Sequence, residues 1–133
     1  MESLLLLLLL ISLTSVIGLF LRAKTGVIKK GISVKIAEGE FGGKYGSRLT
    51  ILQFSTTFCS ECRTAKAIVN DVVKDFKDVA YMEVDAESNL ELVRRVDIRS
   101  TPTTIFLDSK GFEIARAKGA PKRDQLIKAI KAT

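Results

Sequence analysis

A pair of cysteines two residues apart, placed where an apolar run gives way to a helix, constrains this chain more than any other feature. The stretch reads Phe58-Cys59-Ser60-Glu61-Cys62-Arg63 and follows the apolar run Leu49-Thr50-Ile51-Leu52-Gln53-Phe54. Downstream, Ala65, Ile68, Val69, Val72, Val73 and Phe76 recur at spacings of three and four, the period of a helix with one buried face. This pattern predicts a buried strand over 49–54 and then a helix running to about Phe76 or Asp78. Cys59 stands at the helix N-terminus, where unpaired backbone N–H groups and the macrodipole favour a thiolate over a thiol. Cys62 lies one turn in, within reach of a mixed disulfide formed on Cys59. The pair is placed for thiol–disulfide exchange.

Other uses of a CxxC pair fit less well. Structural zinc takes four N or S ligands. The chain has two Cys and no His, so only ligation shared between copies would complete such a site. A metallochaperone lacks evident His or Met ligands. Core filler is a further use of small sulfur side chains, but the scarcity of cysteine and the strand–turn–helix setting favour redox chemistry.

Apolar residues are unevenly spread. Leu4 to Leu21 is 18 residues without a charge and opens with seven consecutive leucines. As a helix it is about 27 Å long, against a hydrocarbon thickness of ~30 Å. A cleavable signal peptide would carry a basic n-region, a shorter apolar stretch and a small-residue cleavage site. Here Met1-Glu2-Ser3 precedes the run and Arg22-Ala23-Lys24 follows it. A helix apolar on every face belongs to a membrane span or to the core of a large protein, and a chain of 133 residues is too small to enclose one. The reading is an uncleaved single-pass anchor over residues 1–22, contacting the lipid membrane through residues 4–21. Roughly 110 residues remain for one compact core.

Charge is uneven as well. The formal net charge is +6, and residues 22–48 carry seven of the Lys and Arg against Glu38 and Glu40. The surplus is membrane-proximal and suits anionic headgroups. With no Trp, two Tyr and no basic–aromatic interleaving, nucleic acid is not an expected partner. Positive flanks stay in the cytoplasm; Arg22, Lys24, Lys29 and Lys30 therefore place the CxxC domain there, at the cell membrane. A lone CxxC suits either compartment, so an extracytoplasmic domain is the alternative.

Residues 23–47 read as a basic, glycine-rich connector, with Ile32-Ser33-Val34-Lys35-Ile36 alternating as a short first strand and Glu38 to Ser47 mostly loop. Residues 48–133 form the domain. Val79 to Asp85 is a second buried strand, and Asn89 to Val96 a short helix with Leu90, Leu92, Val93 and Val96 inward. Thr103 to Leu107 is a strand joined through Asp108-Ser109-Lys110-Gly111 to an antiparallel edge strand, Phe112 to Ala117. Pro121 suits the first turn of a closing helix with Leu126, Ile127 and Ile130 inward. The order β-α-β-α-β-β-α predicts an α/β fold, a central mixed sheet with helices on both faces, after one N-terminal transmembrane helix.

Pro102 opens a strand in Arg99-Ser100-Thr101-Pro102-Thr103. It is either a trans proline at a strand start or a cis Thr101–Pro102 bond offering the Thr101 backbone to a substrate strand beside the dithiol. Taken together, residues 48–132 resemble the thioredoxin family. The resemblance rests on the strand ending in Phe54, Phe58-Cys59-x-x-Cys62-Arg63, Val84-Asp85, Val96-Asp97-Ile98-Arg99-Ser100-Thr101-Pro102-Thr103, the Asp108–Gly111 turn and Gly119-Ala120. With its anchor, the chain looks like small membrane-tethered thioredoxin-like proteins of bacteria. The resemblance implies Cys59 as nucleophile, Cys62 as resolving thiol, Phe58 and a cis Thr101-Pro102 as the substrate platform, and Gly119 in the docking rim.

The departures from the family are specific. Phe58 replaces its usual Trp, and Ser60-Glu61 replace its Gly-Pro and tune the redox couple. Gln53 stands where the family buries an acid, and Tyr81 where it has a lysine, so water or Glu61 would take the proton from Cys62. A carboxylate at Glu61 suits the helix dipole but opposes a neighbouring thiolate and raises the Cys59 pKa. The expected function is a membrane-anchored thiol–disulfide oxidoreductase with no metal or organic cofactor, acting as a monomer and favouring reduction. Its partners are protein thiols or disulfides and a redox donor protein. The alternatives are a non-enzymatic adaptor binding a membrane complex, and a disulfide oxidase or isomerase outside the cytoplasm.

Overall fold

The computed structural model describes residues 1–133. It begins with helix α1 (Glu2–Lys24), then strand β1 (Ile28–Lys30), helix α2 (Glu38–Phe41), β2 (Leu49–Ser55) and α3 (Ser60–Val73). There follow β3 (Val79–Asp85), α4 (Leu90–Arg95), β4 (Thr103–Asp108), β5 (Glu113–Lys118) and α5 (Arg123–Lys131). The five strands form one mixed sheet in the order β1-β5-β4-β2-β3. β2 and β3 run parallel, whereas β2–β4, β4–β5 and β5–β1 are antiparallel.

β2 lies inside the sheet with every residue buried, and its alternation splits the core in two. Leu49 and Ile51 pack with Val69 and Val72 of α3, Phe106, and Leu126 and Ile130 of α5. Leu52 and Phe54 face the other way, onto Val84, Ile105, Leu92 and Val96. Helices therefore cover both faces, as the sequence pattern requires of a sheet with a buried parallel pair. The fully buried β2 is what fixes the position of the residues that follow it.

Several local expectations are corrected. Ile32 to Ile36 is not a strand: Ser33 turns at φ 57°, and only Lys35 forms a bridge, to Phe112. The strand is instead Ile28–Lys30, paired with Ala117–Ala115, a short edge guarded by two lysines. β5 is consequently internal rather than an edge. The chain is part of the domain well before residue 48, because Ile36 and Phe41 join the core and α2 lies where loop was expected. α3 stops at Val73, and two tight turns (Asp75 N–H to Val72 C=O, Phe76 N–H to Val73 C=O) carry Phe76 onto the same core face. Leu90 is 53% exposed, because it lies roughly 200° around α4 from Leu92 at the helical twist. Pro121 is buried in the turn before α5 and separated from it by the cap Lys122. Ile127 and Val93 are half-buried.

One ion pair ties the end of the sheet to α5. Arg48 Nε donates to Asp78 Oδ2, and its Nη1 donates to the Ile130 carbonyl at 2.6 Å. The Arg48 guanidinium holds the Asp78 carboxyl below its usual range. A depressed carboxylate stabilises the fold above its unfolded pKa of about 3.9, and that contribution disappears as pH falls through the lower folded value. Asp78→Asn is expected to lower Tm at neutral pH, with the deficit closing below about pH 4 in a thermal-melt pH series.

α1 spans 23 residues with none buried. It is long and apolar enough to cross a membrane.

Candidate active site

β2 ends at Ser55, and the chain crosses Thr56-Thr57-Phe58 before entering α3. Cys59 is the N-cap of that helix, and its Sγ accepts the backbone N–H of Cys62 at 3.1 Å. The two cysteines are disulfide-bonded, with Cα atoms 5.2 Å apart. Cys59 is half-exposed, whereas Cys62 is only 4% exposed. An incoming thiolate or disulfide therefore meets the Cys59 sulfur. In the reduced protein the Cys62 N–H and the helix N-terminus both favour negative charge on that atom.

The expected site residues converge through three hydrogen bonds between distant segments. The hydroxyls of Thr56 and Thr101 lie 3.4 Å apart, which joins the active-site loop to the Thr101–Pro102 turn. The Thr101–Pro102 bond is cis. Gly119 N–H donates to the Pro102 carbonyl at 2.8 Å, and Ala120 N–H donates to Glu61 Oε1 at 3.2 Å. Gly119 adopts φ 79°, and a Cβ there would sit 3.1 Å from Glu61 Oε1; a larger residue would crowd this junction. Glu61 thus bridges α3 to the Gly119 loop. Ser60 opens the helix and is exposed. Phe58 is 97% exposed beside Cys59, an apolar face available to a passing chain. A pocket of about 220 Å³ flanks the disulfide, and the Lys66–Glu83 pair lies along it at 3.5 Å.

Behind the dithiol the sheet carries a neutral network. Gln53 is fully buried, and its Nε2 donates to Ser55 Oγ at 2.9 Å and to the Cys62 carbonyl at 3.0 Å. Tyr81 completes it by donating its hydroxyl to Gln53 Oε1 at 2.9 Å. Burial, reinforced by the Glu83 charge, drives the Tyr81 phenol far above its ordinary pKa. Neither side chain can exchange a proton near neutral pH, so this network positions Cys62 without titrating. The substitutions at 53 and 81 were visible in the sequence. Their partnership was not, because it depends on strand register, which sets Ile51 opposite Tyr81.

The thioredoxin family model matches residues 34–132. Thioredoxin from Pongo abelii is 27% identical over 93 residues, covering 70% of this chain and 88% of that protein. Thioredoxin H5 from Oryza sativa subsp. japonica is 31% identical over 77 residues, 58% of this chain and 56% of its own length. The solved structure of Fasciola hepatica thioredoxin superposes with a TM-score of 0.58 at 26% identity, covering 65% of this chain and 82% of that one. The sheet order, the dithiol at the mouth of α3 and a family match reaching almost from α2's approach to the last residue agree: the chain belongs to the thioredoxin family of thiol–disulfide oxidoreductases.

Proposed function

We propose that this protein is a membrane-anchored reductase of protein disulfides, with Cys59 as nucleophile and Cys62 as resolving thiol. The carrying observation is the asymmetry of the pair, a half-exposed Cys59 capping α3 and a buried Cys62 behind it. The Cys59 thiolate attacks a substrate disulfide, forming a Cys59–substrate bond and releasing one substrate thiolate. The Cys62 thiolate then attacks Cys59 Sγ, which releases the second substrate thiolate and leaves the Cys59–Cys62 disulfide. Two electrons pass to the substrate, and a dithiol donor protein restores them. The proton leaving Cys62 goes to water or to Glu61, since Gln53 and Tyr81 offer no base near neutral pH and Ala120 N–H engages only one Glu61 oxygen. Phe58, Thr101, Pro102 and Gly119 form the rim on which the substrate chain lies, and one chain supplies all of them.

Glu61 supports reduction as the working direction. A carboxylate in the first turn of α3 works against the Cys59 thiolate and so against the dithiol state. Glu61→Gln is expected to lower the pH at which the reduced protein's thiolate absorbs near 240 nm; an unchanged titration would remove this role. Ser60 and Glu61 together set the couple.

Residues 1–22 are the anchor, with the domain beyond it cytoplasmic by the charge of Arg22, Lys24, Lys29 and Lys30. Intact cells treated with a membrane-impermeant thiol reagent after mild reduction test the topology, and protection of Cys59 is expected. Ready labelling would place the domain outside and favour an oxidase or isomerase. Prereduced protein that leaves a protein disulfide intact would favour the adaptor role.

A further inference from the structure

The junction between α1 and the sheet touches the active-site rim. Only Thr25, Gly26 and Val27 separate Lys24 from Ile28. Gly26 is buried, at φ 73°, and its N–H donates to the Lys118 carbonyl at 2.6 Å. A Cβ on Gly26 would lie 2.2 Å from the Ala120 oxygen, so the junction is packed rather than tethered. On the far side of this contact a Cβ on Gly119 would lie 3.4 Å from Thr25 Cβ and 3.1 Å from Glu61 Oε1. Gly119 is therefore held between the end of the anchor and the CxxC helix. The last turns of α1 share a cleft with the same loop, Leu19, Arg22 and Ala23 facing Ala120 and Lys122.

Lengths place this rim in the headgroup layer. From Leu21, the last residue of the apolar run, to Thr25 the chain rises about 6 Å, and one headgroup layer is about 5–8 Å thick. Lys24, Lys29, Lys30 and Lys118 line one cleft at the same junction, a charge suited to anionic headgroups. Phe58, exposed next to Cys59, suits the same boundary.

Building on the anchored-reductase reading, we infer that α1 holds the rim against the membrane surface and that its substrates are disulfides in juxtamembrane segments of other membrane proteins. A bulky soluble domain meets the bilayer before it reaches Cys59. An extended segment leaving the bilayer arrives at the height of Thr101–Pro102 and Gly119, and confinement to the same membrane raises its effective concentration.

The test uses the prereduced full chain in vesicles of zwitterionic and anionic lipid, in single turnover. One disulfide-bearing sequence is supplied either as a soluble peptide or fused about five residues above a transmembrane helix. At matched bulk concentration the membrane-borne form is expected to be reduced at least about tenfold faster. A flexible spacer of about 20 residues after Lys24, reaching about 25 Å, is expected to cut that advantage several-fold, because it frees the rim from the surface while membrane confinement remains, and to leave the soluble rate unchanged. Equal rates for both substrates, or an advantage that the spacer leaves undiminished, overturns the inference alone. Failure to reduce either substrate overturns the reductase reading and the inference with it, and release of the protein by carbonate washing does the same through the anchor. Because the chain has no Trp, Phe58→Trp adds an independent depth reading that does not need the spacer variant to fold. Quenching of that residue by bromine-labelled lipid is expected, and its absence overturns the placement.

Discussion

Cys59→Ser is expected to abolish disulfide reduction, a loss of roughly a thousandfold or more, because a hydroxyl is neither ionised near neutral pH nor able to form the mixed disulfide. Cys62→Ser is expected to behave differently. The first attack survives, since the helix N-terminus still acts on Cys59. Resolution fails, and substrate accumulates on Cys59 as a covalent adduct on non-reducing gels. The asymmetry follows from burial, with Cys59 half-exposed and Cys62 4% exposed behind it. Adducts on Cys62 in the Cys59→Ser variant, at the rate seen for the converse pair, would reverse the assigned roles.

The largest expected effect on stability lies across the sheet from the dithiol. The Glu113 side chain is fully buried, and Arg116 beside it is 10% exposed. Arg116 donates Nη2 to Glu113 Oε2 at 2.6 Å and to the Val96 carbonyl at 3.0 Å. The pair fastens β5 to the end of α4. Glu113→Ala leaves a buried guanidinium without its hydrogen-bonded carboxylate, with only the more distant Asp97 charge facing it, which costs about 3 kcal/mol. For a domain of this size the expected fall in Tm is more than roughly 10 °C. Removing both charges is far milder, because a buried pair gains little net energy over apolar groups of similar volume. Glu113→Ala combined with Arg116→Leu is therefore expected to recover most of the loss in denaturant melts. A single-variant loss under about 1 kcal/mol would mean that the guanidinium finds water or another partner.

Two strands followed their local signal closely. β3 was legible to the residue because Val79 to Asp85 is a β-rich run between turn residues, and β2 to within one residue because its apolar run stops at Phe54, just before the CxxC loop. β1 was not legible. Three residues, two of them lysines, carry no alternation, while the genuine alternation of Ile32 to Ile36 is broken by the left-handed Ser33. The edge position assigned to Phe112–Ala117 failed for the same reason, since the strand that covers β5 was unseen. Leu90 was misplaced because a short helix buries a narrow stripe, and Leu92 with Val96 already fills it.

In the site, the dithiol and Thr101-Pro102 stand out because each is a local motif. The bridge from Glu61 to Ala120 spans 59 positions, and the packing of Thr25 beside Gly119 joins chain segments still further apart. Contacts of that kind depend on sheet order, which no period in the sequence encodes. Gln53 shows the intermediate case. Its chemistry, an amide that cannot titrate, was readable from its identity; its hold on the Cys62 carbonyl emerged only with the geometry.

As proposed, Cys59 and Cys62 form a working redox couple that favours reduction. This is tested most directly by titrating the full chain in detergent against defined thiol–disulfide buffers and trapping the free thiols at each step. A reversible two-electron transition near about −270 mV is expected, the range of a disulfide reductant. A transition nearer about −180 to −120 mV would contradict the direction of electron flow, and the absence of any reversible transition would contradict the redox function itself.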